Sequence, residues 1–427
     1  MKTFVKLLTV CILLSFVAGC ATPTATEPPK PVNTEAPKPV NTEAPKPVDT
    51  EAPKPTEPPP PAEPKSWLEE NQLGEFFSLD QDWAAIEAAA KKEGKVVVYA
   101  NSSRIEDQIA IWNTIYPDIT LEGYDTEGIA TKMEEEQNAG NVVGDVWFNS
   151  DAMSLYGILY PKNMVLPFIP SEFAAALPVS KEQPFAIARY GGDAWAYNNE
   201  QNPDGCPVKN WWELVDGSYP NKIYFEDPLA EADKIGLFVT TIKHGDEMAT
   251  AYKEYTGKEW TTDPDYDAAT TPNAGWLWVK KFASNPSLVV MPGGDEILEA
   301  MATLGMKDPA GFANNSYSKM RDTINGEIAY AVCLGMKPAV GTSGMTLLGI
   351  ANNATHPNAA KLYIRFSLTV EGREPWNVLG DWPGRTDIPA PEGAPPFSEA
   401  GLWPDDGLLM FQIGSQVRDF WTLNMLK

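Results

Sequence analysis

A chain of 427 residues has room for two or three ordinary domains and a large core. Its formal charge of −25 argues against a protein that grips nucleic acid through Lys and Arg, and two histidines leave no His-based metal cluster and little scope for a His general base. Four cysteines are too few for a disulfide scaffold, and the 39 prolines are unevenly spread, with 15 of them between residues 21 and 66.

Met1–Cys20 opens with Lys2 and Lys6, continues in an apolar run from Leu7 to Val17 and ends on Ala18-Gly19-Cys20. A positive start, a short apolar centre and small residues before the cut describe an export signal. The run is shorter than the roughly 20 residues a membrane-spanning helix needs. Val17-Ala18-Gly19-Cys20 resembles the bacterial lipobox, which implies that residues 1–19 are a lipoprotein signal peptide and that Cys20 is lipidated. Residues 20–66 then form the lipid-bearing Cys and a Pro-rich disordered tether. Within it Pro29-Lys30-Pro31-Val32-Asn33-Thr34-Glu35-Ala36 repeats from Pro37 and Pro45, with a broken copy from Pro53. Proline fixes φ and removes backbone donors, so the segment favours polyproline II and could extend roughly 140 Å. The charges of leader and tether cancel, so the −25 belongs to the rest of the chain. That suits solubility and identifies no ligand.

The following 130 residues read as alternating helices and strands. A helix over Asp82–Glu93 has Trp83, Ile86 and Ala90 on one face, Asp80 or Asp82 as cap, and Gly94 as its stop. Lys95–Ala100 is a short β-branched run, the pattern of a strand buried on both faces. A helix follows over Arg104–Tyr116, where Ser103 and Glu106 match a capping box. Ile119–Tyr124 reads as a strand, Glu127–Asn138 as a helix, Asp145–Phe148 as a third strand and Ala152–Leu159 as helical. Three such units imply a parallel sheet with right-handed crossovers. In a 2-1-3 order, a ligand is expected beyond the strand ends, at the loops Asn101-Ser102-Ser103 and Asn149-Ser150-Asp151. These carry hydroxyls and amides and run into helix N-termini; each of them could equally be only a cap.

Tyr190–Asn198, aromatic and glycine-rich, reads as a strand crossing between lobes. A short helix near Asn210–Val215, a strand near Lys222–Phe225, helices over Gly236–Tyr255 and Ala274–Ser284, a strand over Leu288–Val290 and a helix over Asp295–Leu304 form a second lobe. Strands over Glu327–Cys333 and Thr346–Ala351, an amphipathic helix over Asn358–Leu368 and a C-terminal helix over Leu408–Leu426 return the chain.

Four stretches, in order, carry a family resemblance: Ala89–Tyr99, Gly144–Ala152, Trp212-Glu213-Leu214 with Asn221–Pro228, and His356–Phe366 with Pro383-Gly384-Arg385. The chain resembles the extracytoplasmic solute-binding proteins of ABC importers, in the branch that includes iron(III)-binding proteins. The resemblance implies an α/β, type II periplasmic-binding-protein fold: two lobes, each a mostly parallel sheet flanked by helices, joined by a strand hinge. Residues 67–194 would be the first part of lobe one, 195–330 lobe two, and 331–427 the return to lobe one with the C-terminal helix. It implies a small polar solute captured between the lobes and delivered to ABC permease subunits by a monomer. The protein would sit outside the cytoplasm, held to the outer face of the cytoplasmic membrane by its lipid, with no cofactor, no metal and no nucleic acid. By the same analogy Asn101, Ser102, Ser103, Asn149, Ser150 and Asp151 face the cleft from lobe one, Glu226 and Asp227 from lobe two, and Thr342-Ser343-Gly344 lies near the hinge.

The iron-binding members carry an adjacent tyrosine pair after the strand that matches Glu327–Val332. Here that place reads Cys333-Leu334-Gly335-Met336, with Tyr330 alone before it, a poor set for a hard cation that wants several anionic ligands. An organic solute or oxyanion is expected instead. Trp195, Trp276, Trp278 and Trp382 fall near cleft or hinge segments, where they stack on a ligand or fill the core. Cys206 and Cys333 are the thiols of the folded part and a candidate disulfide, paired or free. The rival functions are an iron(III)-binding member of the same family, an anchored extracellular enzyme using Glu226 and Asp227, and a sensor on the same fold. Adjacent residues of a strand face opposite ways, so Glu226 and Asp227 make a poor acid/base couple.

Overall fold

The computed structural model describes residues 65–425 apart from 127 and 231. The expected signal peptide, Cys20 and nearly all of the tether lie outside the described residues.

The described strands are β1 (Lys95–Ala100), β2 (Thr120–Asp125), β3 (Val146–Asn149), β4 (Val165–Leu166), β5 (Ala186–Tyr197), β6 (Ile223–Glu226), β7 (Leu288–Met291), β8 (Phe312–Ser316), β9 (Ala331–Val332), β10 (Gly341–Ala351), β11 (Asp381–Pro383) and β12 (Leu402–Pro404). They form one sheet whose main path runs β2-β1-β3-β10-β5-β8-β6-β7. Its ends are parallel: β1 pairs with β2 and β3, and β6 pairs with β7 and β8. Its centre is antiparallel, because β5 and β10 run side by side from one lobe to the other. A Cβ at Gly341 would collide with the Asp193 carbonyl, so glycine is what lets β10 lie this close to β5.

Local chemistry explains the first lobe. Asp82 Oδ1 accepts from the Ala85 N–H, and Gly94 ends the helix Trp83–Glu93 at φ 75°. β1 is buried from Val96 to Ala100, as its β-branched run demands. The expected capping box at Ser103 does not form. The helix Ile105–Ile115 starts after Arg104 without a side-chain cap, and the turn before it is closed by Ser102 and Ser103 backbone carbonyls.

In the second lobe the expected single helix over Gly236–Tyr255 is two, Ala232–Lys243 and Gly245–Thr256. The break falls at His244, where Gly245 packs against Asn273 too closely for any side chain. This lobe has its own aromatic core, in which Trp195, Trp211, Trp278 and Phe282 are buried together. Cys206 and Cys333 are joined in a disulfide, with Cα atoms 5.2 Å apart. The C-terminal helix, Gly407–Met425, touches both lobes. Gly407 lies on Ala152 and Phe411 on Gly157 of lobe one, whereas Met410 lies on Gly236 and Trp421 is buried in the core of lobe two.

The helix Pro357–Ser367 covers lobe one with an almost wholly buried surface, and that includes Lys361, 5% exposed. Its Nζ donates to the Asn71 carbonyl at 2.5 Å. Burial pushes the ammonium down to about 8, against a smaller upward pull from Glu93. Below that pH Lys361 is charged in both folded and unfolded chains and its full burial cost is felt. Between about 8 and its ordinary value of 10.5 the folded chain has released the proton and the unfolded chain has not, so stability rises with pH there. Lys361→Met is therefore expected to stabilise the protein by about 2 kcal/mol at pH 7, with the gain shrinking towards pH 10. Denaturant titrations at both pH values check this; a Met variant no more stable than the parent at pH 7 would refute it.

Candidate functional site

The register of β5 on β10 builds the site. Arg189 lies opposite Thr346, Gly191 opposite Gly344 and Asp193 opposite Thr342. Side chains alternate along a strand, so these six positions share one face. All six line a cavity of ≈ 250 Å³ between the lobes. Lobe one adds Ser150 and, on β11, Asp381; lobe two adds Ser316 and Ser318 from the end of β8. Asp405, just before the C-terminal helix, closes it. A Cβ at Gly344 would meet nothing within 4 Å, which marks the open middle of the cavity. The size is below the roughly 300–1,000 Å³ of drug-sized sites. None of the residues that line it is aromatic.

Charge is concentrated at its two ends. The Asp381 carboxylate accepts from Arg189 Nη1 and, at 3.0 Å, from Arg104 Nη1. Arg373 Nη2 donates to the Asp381 carbonyl at 3.3 Å. At the other end Lys234, 2% exposed, holds Asp193 at 2.6 Å and Glu226 at 3.6 Å. Asp405 Oδ1 accepts from the Thr240 hydroxyl at 3.0 Å. Burial would raise the neighbouring Asp406 carboxyl, but the Leu409 N–H and Lys243 outweigh it and hold it below its ordinary value.

The residues expected from sequence fall in several places. Ser150 reaches the cavity, and its Oγ accepts from Asn101 Nδ2 at 2.7 Å. Asn101, Asn149 and Asp151 line a separate hollow of ≈ 480 Å³ on lobe one, beside Asp125 and Thr126. Asn149 and Asp151 also act as caps, accepting from the N–H groups of Asp151 and Ser154. Ser102 Oγ accepts from the Trp376 indole, and Ser103 lines neither space. Asp227 turns away, accepting from the Leu229 N–H, while Glu226 faces Lys234. Ser343 is fully buried on the far face of β10, one residue out of step with Thr342 and Gly344. Trp195 shares the cavity face of β5 but lies further along it, wholly inside the core of lobe two. Trp276, Trp278 and Trp382 are buried as well.

Arg189, Asp193, Thr346, Asp381 and Asp405 escaped the sequence reading. Period-two alternation through Arg189–Asp193 is the one signal that could have found the first two. Tyr330 is wholly buried, and its hydroxyl donates to the Ser316 carbonyl at 3.1 Å. Burial, then the charge of Asp193, pushes that phenol far up, so it stays protonated. Among the described residues no three His, Cys, Asp or Glu side chains converge in a way that could hold a metal ion.

No protein-family model matches the chain, and no curated protein matches it. Solved structures do. The chain is similar to iron-bound HitA from Pseudomonas aeruginosa, at 16% identity and TM-score 0.54, over 77% of this chain and 99% of that one. The fold is that of the two-lobed periplasmic binding proteins. AfuA from Actinobacillus pleuropneumoniae, a periplasmic binding protein with fructose-6-phosphate bound, matches at 14% identity and TM-score 0.55, over 77% of this chain and 97% of its own. An ABC-transporter substrate-binding protein from Agrobacterium tumefaciens matches at 16% identity and TM-score 0.54, over 78% and 94%. In this chain two long strands, β5 and β10, run side by side between the lobes. No helix among the described residues is long and apolar enough to cross a membrane.

Proposed function

We propose that the protein is a solute-binding protein, lipid-anchored at Cys20 outside the cytoplasm, that captures a small polar solute between its lobes and delivers it to an ABC importer. The observation that carries this is the cavity on the paired β5 and β10 strands, lined by hydroxyl and charged groups from both lobes. A ligand that touches Ser150 and Asp381 on one side and Ser316 on the other gains contacts only when the lobes are together, which is the energetic basis of capture by closure. The lipobox-like Val17–Cys20 and the Pro-rich stretch supply the anchor and the reach. The iron reading lacks support from Tyr330, whose hydroxyl is engaged inside lobe two.

A screen tests this. Sugars, sugar phosphates, phosphonates, thiamine, polyamines, amino acids and ferric citrate are added singly to the protein and its melting temperature is read. At least one is expected to raise it, and the same compound is expected to shrink the radius of gyration in solution scattering as the lobes close. A panel without any shift would remove the binding reading.

A further inference from the structure

A second cavity, of ≈ 740 Å³, lies on lobe one. It is nearly three times the size of the interlobe cavity and inside the roughly 300–1,000 Å³ of small-molecule sites. Its floor comes from the same two strands that wall the first. Gly191 of β5 pairs with Asp381 of β11, and both line the interlobe cavity. The next pair, Tyr190 with Trp382, points to the opposite face and lines the second cavity. The Tyr190 ring stacks on Phe397, their centroids 4.0 Å apart, and Pro178, Pro389 and Pro396 add apolar walls.

Two features define what this space suits. The first is charge. Among the described residues the charged groups that line it are Arg385 and Asp387, joined by two hydrogen bonds of 2.9 and 2.7 Å. Arg385 Nη1 also donates to the Leu368 carbonyl at 3.0 Å. The lining therefore carries no net charge, and an ionised ligand would lose its hydration there without a counter-charge. Flat apolar walls favour a ring instead. The second feature is the Tyr190 hydroxyl. Tyr190 is 8% exposed, and its hydroxyl makes no hydrogen bond among the described residues. Burial pushes the phenol up to about 12, so it keeps its proton at neutral pH and has it to donate. A buried hydroxyl without a partner carries a cost that an acceptor on a ligand removes.

We propose that this cavity is a second ligand site, for an uncharged, flat-ringed small molecule that sets a hydrogen-bond acceptor against Tyr190. It is independent of the solute that the interlobe cavity takes.

Isothermal titration of the full-length protein with 2-naphthol tests it, against 2-naphthoate as the anionic and 2-naphthylmethylamine as the cationic analogue. 2-Naphthol is expected to bind about tenfold or more tighter than either charged ring. Tyr190→Phe keeps the aromatic ring and is expected to weaken 2-naphthol by about fivefold, the worth of one hydrogen bond. Ala394→Trp fills the space from its lining and is expected to abolish binding. The parent comparison and Tyr190→Phe stand even if Ala394→Trp fails to fold. No binding of 2-naphthol at about 1 mM would overturn the proposal. So would an affinity untouched by Tyr190→Phe, or a charged analogue that binds as tightly. If a proline-rich peptide binds and 2-naphthol does not, the cavity is a peptide groove and the small-molecule assignment falls.

Discussion

Replacing Asp145 by alanine is expected to cost about 3–5 kcal/mol, the loss typical of breaking a buried, hydrogen-bonded charge. Asp145 is wholly buried immediately before β3. Its Oδ2 accepts from the Val97 N–H of β1 at 2.8 Å and lies 2.8 Å from His356 Nδ1. Its Oδ1 accepts from the His356 N–H at 3.0 Å. One carboxylate thus joins two parallel strands to the entry of the helix Pro357–Ser367. Removing it strands two backbone donors and the imidazole away from water, each with a cost of its own. Asp145→Asn keeps acceptor oxygen and should lose less. Urea unfolding of both variants checks the ranking; an alanine variant within about 1 kcal/mol of the parent, inside the range of an exposed pair, would count against it.

The second large effect is the disulfide. Cys206 and Cys333 are separated by 127 residues, a loop that encloses most of lobe two. Cross-linking so long a loop restricts the unfolded chain by about 4–5 kcal/mol in the chain-entropy account, and native disulfides deliver about 2–5. The double variant Cys206→Ser, Cys333→Ala is therefore expected to lose roughly 3 kcal/mol. In the parent, a reductant should lower the unfolding midpoint, and in the variant it should change nothing. Equal midpoints for parent and variant under oxidising conditions would contradict the bond's role. Disulfides of this sort persist in oxidising compartments, in agreement with the proposed location.

The β/α units of lobe one were legible because each carries its own punctuation: Asp82 and Gly94 around a helix, then the uninterrupted Val96-Val97-Val98 of a buried strand. The hinge was only half legible. β10 begins at Gly341, not Thr346, because its first residues are glycines and hydroxyls whose strand identity comes from pairing with β5. The lobe-one loops at Asn149–Asp151 announce themselves as caps, and Ser150 is the residue among them that reaches the interlobe cavity. Its charged partners could not be read locally. Arg189 meets Asp381 across 192 residues of chain, and Lys234 meets Asp193 through a helix packed on the sheet. Of the Thr342-Ser343-Gly344 stretch, Thr342 and Gly344 face the cavity and Ser343 the core, because one step along a strand exchanges its faces.

The C-terminal helix adds a mechanical constraint. Two strands alone would let the lobes swing about them, but this helix bears on both bodies at once. Its bearings are smooth: Phe411 rests on Gly157 and Met410 on Gly236, positions with no side chain to interlock. Trp421 holds the helix in the core of lobe two, so a relative rotation of the lobes falls on the contact of Phe411 with Gly157. Its N-terminal end carries Asp405 into the cavity. If the lobes open and close as proposed, the helix that bridges them has to take part in that change, and the chain entering it ends inside the cavity.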